Sequence, residues 1–341
     1  MDVSGFLNLI KPCGPTSHDV VAQVRRLLPG VKVGHLGTLD PLAAGVLPLA
    51  LGHATRLADY AHYHRKTYRA ELLLGIETTS GDLDGGVLAT AVATSSVSAA
   101  EVWQLLEQFT GEIKQRPPAS SAIRIDGKHS YEWERAGMAV EPPARLVTVY
   151  RWEWLAIHRR DGSIHDGPFM DEASLAPLPR LMPGDRLICE IECSAGTYIR
   201  ALARDVGRAL GLRATLSYLL RTHVGPFAIT EAVSPVELAS RLAQKISQAE
   251  GEATLTEAGL IKPLGFIWPA DLLRLVVPEE VVPRLRNGQT IGKEVVLSVV
   301  GRAGGESTEF AEVLIETRAG QAVAIGIGCG PGCWRARRML V

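Results

Sequence analysis

The stretch Gly34-His35-Leu36-Gly37-Thr38-Leu39-Asp40-Pro41-Leu42-Ala43-Ala44-Gly45-Val46-Leu47-Pro48 sets three glycines and two prolines around a single carboxylate. Glycine and proline at these positions hold the chain in a defined, non-helical path. An Asp before a Pro in a loop ordinarily caps the next amides in an Asx turn. The same carboxylate amid apolar neighbours is also the group that nucleophilic or general-base chemistry requires. No Lys followed by Ser or Thr accompanies the glycines, so a phosphate-cradling nucleotide loop is not supported. Cys189-x-x-x-Cys193 and Cys329-x-x-x-Cys333 share a spacing, but the first pair lies on a strand-like run, where Cys behaves as a small buried hydrophobe. A zinc site is therefore not expected. Asp82-Leu83-Asp84-Gly85-Gly86 lacks the later ligands of a calcium loop and reads as a turn. His62-Tyr63-His64 supplies no ligand set.

The elements that must position Asp40 are legible from period and caps. Ser17 is the expected N-cap of a first helix, whose Val20, Val21, Val24, Leu27 and Leu28 recur at helical spacing until Pro29-Gly30. A capping box at Ser98-x-x-Glu101 opens a second. Tyr198 to Leu210 reads as a third, and Pro235 to Ile246 as a fourth. Strand-like runs are Tyr68–Leu74, Val147–Ile157, Arg186–Cys193, Phe310–Glu316 and Ala322–Ile327. Helices and strands do not alternate, which favours α+β over a doubly wound sheet. Arg159–Gly184 and Ser247–Gly259 look like surface excursions. A boundary is expected near Trp268-Pro269, followed by short, Gly-punctuated strands.

The 341 residues are 46% hydrophobic and 21% charged, which suits a folded chain of two domains and excludes a disordered one. The net charge is −1, but it is segregated. Residues 1–70 carry a surplus of four positive charges, as do residues 195–225, whereas residues 72–113 hold six acidic side chains and no Lys or Arg. Arg335, Arg337 and Arg338 add charge near the C-terminus. One basic face on a neutral protein is the expectation. Five cysteines, an odd number, argue against a disulfide scaffold. No apolar run reaches the roughly 18 residues of a membrane span, and no signal peptide is recognisable. A reducing cytoplasm is the expected compartment.

The Gly34–Pro48 run resembles the Gly-His-x-Gly-x-Leu-Asp-Pro-x-Ala-x-Gly signature of the TruB family of pseudouridine synthases. Other stretches match in the same order: Leu9-Ile10-Lys11-Pro12 with Gly14-Pro15-Thr16-Ser17, then Lys66-Thr67-Tyr68-Arg69-Ala70. Gln115-Arg116-Pro117-Pro118 through Ser121-Ala122, Gly127-Lys128 to Tyr131-Glu132 and Ala136-Gly137 resemble an RNA-gripping thumb insertion. Gly196-Thr197-Tyr198-Ile199-Arg200 resembles the motif that carries the family's active-site arginine, and Leu219-Leu220-Arg221-Thr222 the segment that closes the pocket. Leu285-Arg286-Asn287-Gly288 and Arg335-Ala336-Arg337-Arg338 are similar to the two ends of a PUA-like domain.

The resemblance implies an α+β pseudouridine synthase fold, with a mostly antiparallel mixed sheet, flanking helices and a thumb-like insertion at about 114–145. It implies a catalytic domain over 1–268 and a PUA-like β-barrel RNA-binding domain over 269–341. Asp40 falls on the family's catalytic aspartate, Arg200 on the arginine that pairs with it, and Tyr68 on the tyrosine that stacks on the base. Leu219 would line the base pocket, His35 would hold the place of the extruded nucleotide, and Tyr198 would contact substrate. Lys11, Arg25, Arg26, Arg65 and Lys66, with Lys114, Arg116, Arg124 and Lys128, are expected phosphate contacts. The implied activity is isomerisation of the T-loop uridine at tRNA position 55, by a monomer acting without guide RNA, protein partner or cofactor. A guide-dependent synthase and a non-catalytic tRNA chaperone are the rival readings.

Overall fold

Two strands, Gly5–Lys11 and Ala44–Leu51, are buried almost from end to end. Such continuous apolar runs suit strands covered on both faces. The computed structural model describes residues 3–341 except 122, 126, 137, 139–140, 170, 176–177, 249–258 and 302–310. Ala122, Gly137, Phe310 and most of the Ser247–Gly259 excursion thus lie outside the described residues, as does the side chain of Tyr131.

The main sheet has eleven strands. Its path runs Ile164–Phe169, Arg145–His158, Arg186–Cys193, Lys66–Leu74, Ala214–Val224, Ala44–Leu51, Gly5–Lys11 and Ile261–Lys262. Gly111–Gln115 pairs with Arg145–His158, Val33–His35 with Ala44–Leu51, and Phe227–Ala228 with Ala214–Val224. Every pairing among these strands is antiparallel except one: Leu220 and Arg221 run parallel to Ala44 and Gly45. At that crossing Gly45 has φ +112°, and a Cβ there would sit 2.2 Å from the Arg221 carbonyl oxygen. Only glycine admits so close an approach.

The helix Ser17–Leu27 packs Val20, Val21 and Val24 on Leu7, Leu9, Val33, Leu47 and Leu49. Its N-cap is Thr16, not the expected Ser17: the Thr16 hydroxyl accepts from the Asp19 N–H, and the Asp19 carboxylate accepts from the Thr16 N–H. Ser17 is buried and turned toward the Asp40 loop. The helix Ile199–Ala209 lays Leu202, Ala203 and Val206 against Leu72, Leu74, Ala214 and Leu216 on the other face. Ala99–Gln108 opens with the capping box read from Ser98 and Glu101.

Arg159–Gly184 is not a bare surface excursion. Its Ile164–Phe169 strand extends the sheet edge, and Phe169, Leu175 and Leu181 are buried in the core beside Trp154. Alternation fails there because Gly167 sits where a Cβ would meet the Trp154 and Leu155 carbonyls, at a register shift.

A second, six-stranded sheet follows, ordered Thr290–Gly292, Cys333–Met339, Ala322–Gly330, Glu312–Thr317, Leu273–Val277 and Ser298–Val300. It has its own core around Leu275, Val313, Ile315 and Trp334. Leu314, Ala322, Ile325 and Leu340 also share a cluster with Phe6, Val46, Tyr60 and Trp268, so the two sheets are fused by apolar contact. Among the described residues no helix is long and apolar enough to cross a membrane.

Candidate active site

Asp40 lies in the connection between Val33–His35 and Ala44–Leu51. The loop carries few backbone hydrogen bonds of its own, and its carbonyls are taken up by distant groups. Arg221 donates through Nη2 to Gly37 O (3.0 Å), through Nη1 to Thr38 O (3.2 Å) and through Nε to Val46 O (2.8 Å). The Ser17 hydroxyl donates to Leu39 O (3.0 Å) and accepts from Leu39 N–H (2.9 Å). Lys11 Nζ donates to Pro41 O (3.3 Å), and Gly14 N–H to the same oxygen (2.8 Å). Buried backbone groups must be paired, and here the pairing aims the loop.

Arg200, one residue into its helix, is 4% exposed. Its Nε stands 2.9 Å from Asp40 Oδ2 and 3.6 Å from Asp82 Oδ2. The far edge of the guanidinium donates to Ser80 O (2.7 Å) and Ser120 Oγ (2.8 Å) through Nη1, and to Ser120 O (3.1 Å) through Nη2. A buried charge needs such partners. Gly81, with φ +77°, lets the backbone pass Arg200, where a Cβ would come within 3.2 Å of Arg200 Cβ and O. The helix start is held by Gln115, whose amide oxygen accepts from Tyr198 N–H (2.8 Å) and whose nitrogen donates to Tyr198 O (3.1 Å).

Asp40 and Arg200 open on a cavity of about 230 Å³ that is also lined by Leu39, Lys66, Tyr68, Ser121, Tyr198 and Leu219. Tyr68 is paired across the sheet with Arg221 and Leu219 with Ala70, so register brings the ring and the Leu side chain to one wall. Burial raises the Asp40 carboxyl above its ordinary value; Arg200 opposes the rise and Asp82 adds to it. Burial pushes the Tyr68 hydroxyl up to about 12, so it stays protonated near neutrality. Burial, with Arg221 beside it, brings the Lys66 ammonium down to about 8.

The structure thus gathers Asp40, Tyr68, Arg200, Tyr198, Leu219 and Lys66 around one cavity. His35 stays outside that lining. It packs edge-on against exposed His18 at 5.5 Å, and burial first, then His18 and Arg221, lowers its value, so the ring is neutral at pH 7. Lys11 departs from the expectation of a phosphate contact. It is fully buried, and its three N–H donors go to Pro12 O, Pro15 O and Pro41 O. Arg25 donates to Val33 O, and Arg65 pairs with Glu192 at 3.1 Å over the Tyr150 ring. Arg26, Lys114, Arg116, Arg124 and Lys128 are exposed, Arg116 in an ion pair with Glu141.

Five residues around the site carried no prediction of this kind: Asp82, Ser17, Gln115, Ser120 and Arg221. Arg221 had a signal, a cation in the otherwise apolar run Leu219–Val224, which is rarely buried without partners. Asp82 is in the turn expected of it, yet its carboxylate is 5% exposed and faces Arg200, 118 positions later. Cys189 and Cys193 are buried on their strand, while Cys329 and Cys333 sit 2.8 Å apart on a separate hairpin of the second sheet.

The model of the TruB family pseudouridylate synthase N-terminal domain matches residues 25–199. A tRNA pseudouridine synthase B of Halalkalibacterium halodurans is 38% identical over 293 residues, covering 85% of this chain and 86% of the relative. The protein of that name from Moorella thermoacetica is 38% identical over 323 residues, 95% of this chain and 93% of the relative. Among solved structures, a Cbf5–Nop10–Gar1 complex aligns with a TM-score of 0.69 at 25% identity, over 99% of this chain and 85% of the other. An H/ACA RNP bound to a substrate RNA containing 2′-deoxyuridine shares the fold, with a TM-score of 0.68 at 24% identity over 99% of this chain and 85% of that one.

Proposed function

This chain belongs to the TruB family of pseudouridine synthases and is an isomerase of uridine in tRNA; from the surroundings of Asp40 we propose that it acts on the T-loop uridine at position 55, alone and after flipping the base. The observation that carries the reading is the Asp40–Arg200 ion pair at the mouth of a cavity walled by Tyr68 and Leu219. At about 230 Å³ the cavity falls below the roughly 300–1,000 Å³ of drug-sized sites, which suits one planar base rather than a base pair. Flipping costs a few kcal/mol, which phosphate contacts and a shape-matched RNA loop offset.

Pseudouridine formation breaks the N1–C1′ bond, turns the uracil and joins C5 to C1′; the C5 proton is lost and N1 gains one. The Asp40 carboxylate works as nucleophile or base, which requires it ionised, and Arg200 stabilises that state. Attack at C1′, addition at C6 and removal of the C2′ proton are all consistent with its position. The Tyr68 ring stacks on the uracil, and its hydroxyl takes part in the final proton transfer from C5. Leu219 covers the base, Tyr198 borders it, and Lys66 offers an ammonium to the ribose-phosphate. We assign Asp82 to holding Arg200. His35 props the RNA beside the cavity, while Lys11 belongs to the scaffold of the Asp40 loop.

We divide the chain into a catalytic domain to residue 268, with a thumb at about 114–145 that grips RNA through Lys114, Arg124 and Lys128, and a PUA-like RNA-binding domain from 269. We propose that the enzyme works as a cytoplasmic monomer without a guide RNA; the curated relatives named for tRNA support the substrate class. The test is to incubate protein with an unmodified tRNA transcript and map pseudouridine by carbodiimide adducts and primer extension. A single stop, one nucleotide 3′ of position 55, is expected. Modification elsewhere, or only with added guide RNA, contradicts the assignment.

A further inference from the structure

We propose that Ser120, in the thumb segment, is a positioning residue for Arg200, holding the guanidinium against Asp40. The proposal rests on the function assigned above to Asp40 and Arg200. Arg200 has one edge for the reaction and one for the protein: Nε faces Asp40 and Asp82, and both terminal nitrogens face outward. Two of the three hydrogen bonds on that outer edge go to Ser120, one to its hydroxyl and one to its carbonyl. Only Ser80 O supplies the third.

Ser120 is not part of the sheet that carries the rest of the site. It lies between Gly111–Gln115 and the short hairpin Arg124–Ile125 with Lys128–His129. The segment is tied to the Arg200 helix at its start and closed on itself at its end. Gln115 clamps the Tyr198 backbone at the start of the Arg200 helix. Ser130, which opens the helix Ser130–Arg135, donates through its hydroxyl to Ala119 O and through its N–H to Ile123 O (2.5 and 2.7 Å). Ser121 is buried and lines the cavity. Displacement of this segment therefore removes two of Arg200's partners and part of the cavity wall together.

The geometry makes the coupling electrostatic. The charged or titratable groups facing Asp40 or its cavity are Arg200 from its helix and Tyr198 just before it, Asp82 from the turn, Lys11 from the first strand, Tyr68 and Lys66 from Lys66–Leu74, and Arg221 from Ala214–Val224. Arg200 is the nearest cation and the largest influence favouring the carboxylate. A looser guanidinium leaves Asp82 and burial to raise Asp40 further. Ser120 itself is uncharged, so its removal acts on Asp40 only through Arg200.

The experiment measures single-turnover rate against pH, and RNA affinity by filter binding, for wild type, Ser120→Ala, Ser120→Thr and Asp40→Asn on a T-arm stem-loop. Losing one hydrogen bond to a charged group predicts a fall of about tenfold in rate for Ser120→Ala. Affinity should be unchanged, and the acid limb should move to higher pH. Ser120→Thr, which keeps the hydroxyl, should restore both. A wild-type rate and limb in Ser120→Ala, with Asp40→Asn inactive, overturns the role of Ser120 alone. Equal losses of rate and affinity with an unmoved limb also overturn it, because they reduce the segment to an RNA clamp. Turnover by Asp40→Asn instead overturns the underlying assignment.

Discussion

The hydroxyl of Ser17 closes on both backbone groups of Leu39, donating to the carbonyl and accepting from the N–H, immediately before Asp40 in the chain. A side chain thus does for this loop what a strand partner does for a sheet. Ser17→Ala leaves two buried backbone groups unpaired, at a cost of about 2 kcal/mol. Urea denaturation should show that loss, and turnover should fall while RNA affinity is kept. Undiminished stability and turnover together would show that the loop is aimed by its other partners.

Arg200→Ala should collapse turnover by about a hundredfold or more, the usual cost of losing a preorganised charge partner, with little change in RNA affinity. Single-turnover kinetics and filter binding separate the two. A variant with wild-type turnover is incompatible with the role given to the ion pair.

The ionised form of Asp40 is the working form, and burial raises its pKa. The rate should therefore decline as pH falls through a value higher than the ordinary carboxylate range of about 4. Single-turnover rates between pH 4 and 8 read this limb directly. A limb at or below the ordinary value would mean that the carboxylate is more solvated than its 38% exposed side chain and surroundings indicate.

Lys11→Met removes an ammonium that holds Pro12 O, Pro15 O and Pro41 O. Stability should drop by about 3 kcal/mol, since hydrogen bonds to a charged donor carry more than neutral ones. The slope of log affinity against log salt should not change, because no phosphate is lost. A slope shallower by about one ion would restore Lys11 to the RNA contacts.

What the chain reveals by itself divides along sequence distance. The capping box at Ser98 and Glu101, the strand Arg186–Cys193 and the helix after Tyr198 are written in local pattern and appear where expected. Asp40, Arg200 and Tyr68 stood out through the resemblance of their motifs to those of the TruB family, and they meet at one cavity. Asp82, Ser120 and Gln115 did not stand out, because each acts on a residue 80 or more positions away. Nothing in Asp82-Leu83-Asp84-Gly85-Gly86 says that its turn folds back on Arg200. Ser17 looked like a cap because Ser, Thr, Asp and Asn share that role, and the neighbouring Thr16 took it. Lys11 looked like a surface cation, although its place at the end of the largely apolar stretch Phe6–Ile10, broken only by Asn8, was the sign that it is buried.

Catalysis by Asp40 is tested most directly by tritium release from C5-labelled uridine in a T-arm stem-loop, with purified protein, EDTA and no guide RNA. Wild-type protein should release tritium from the loop uridine. Asp40→Asn, which keeps shape and removes the charge, should bind the RNA as tightly and release none. Tritium release by Asp40→Asn at a wild-type rate would contradict the assignment of the carboxylate, and tight binding without release by the wild type would contradict stand-alone catalysis.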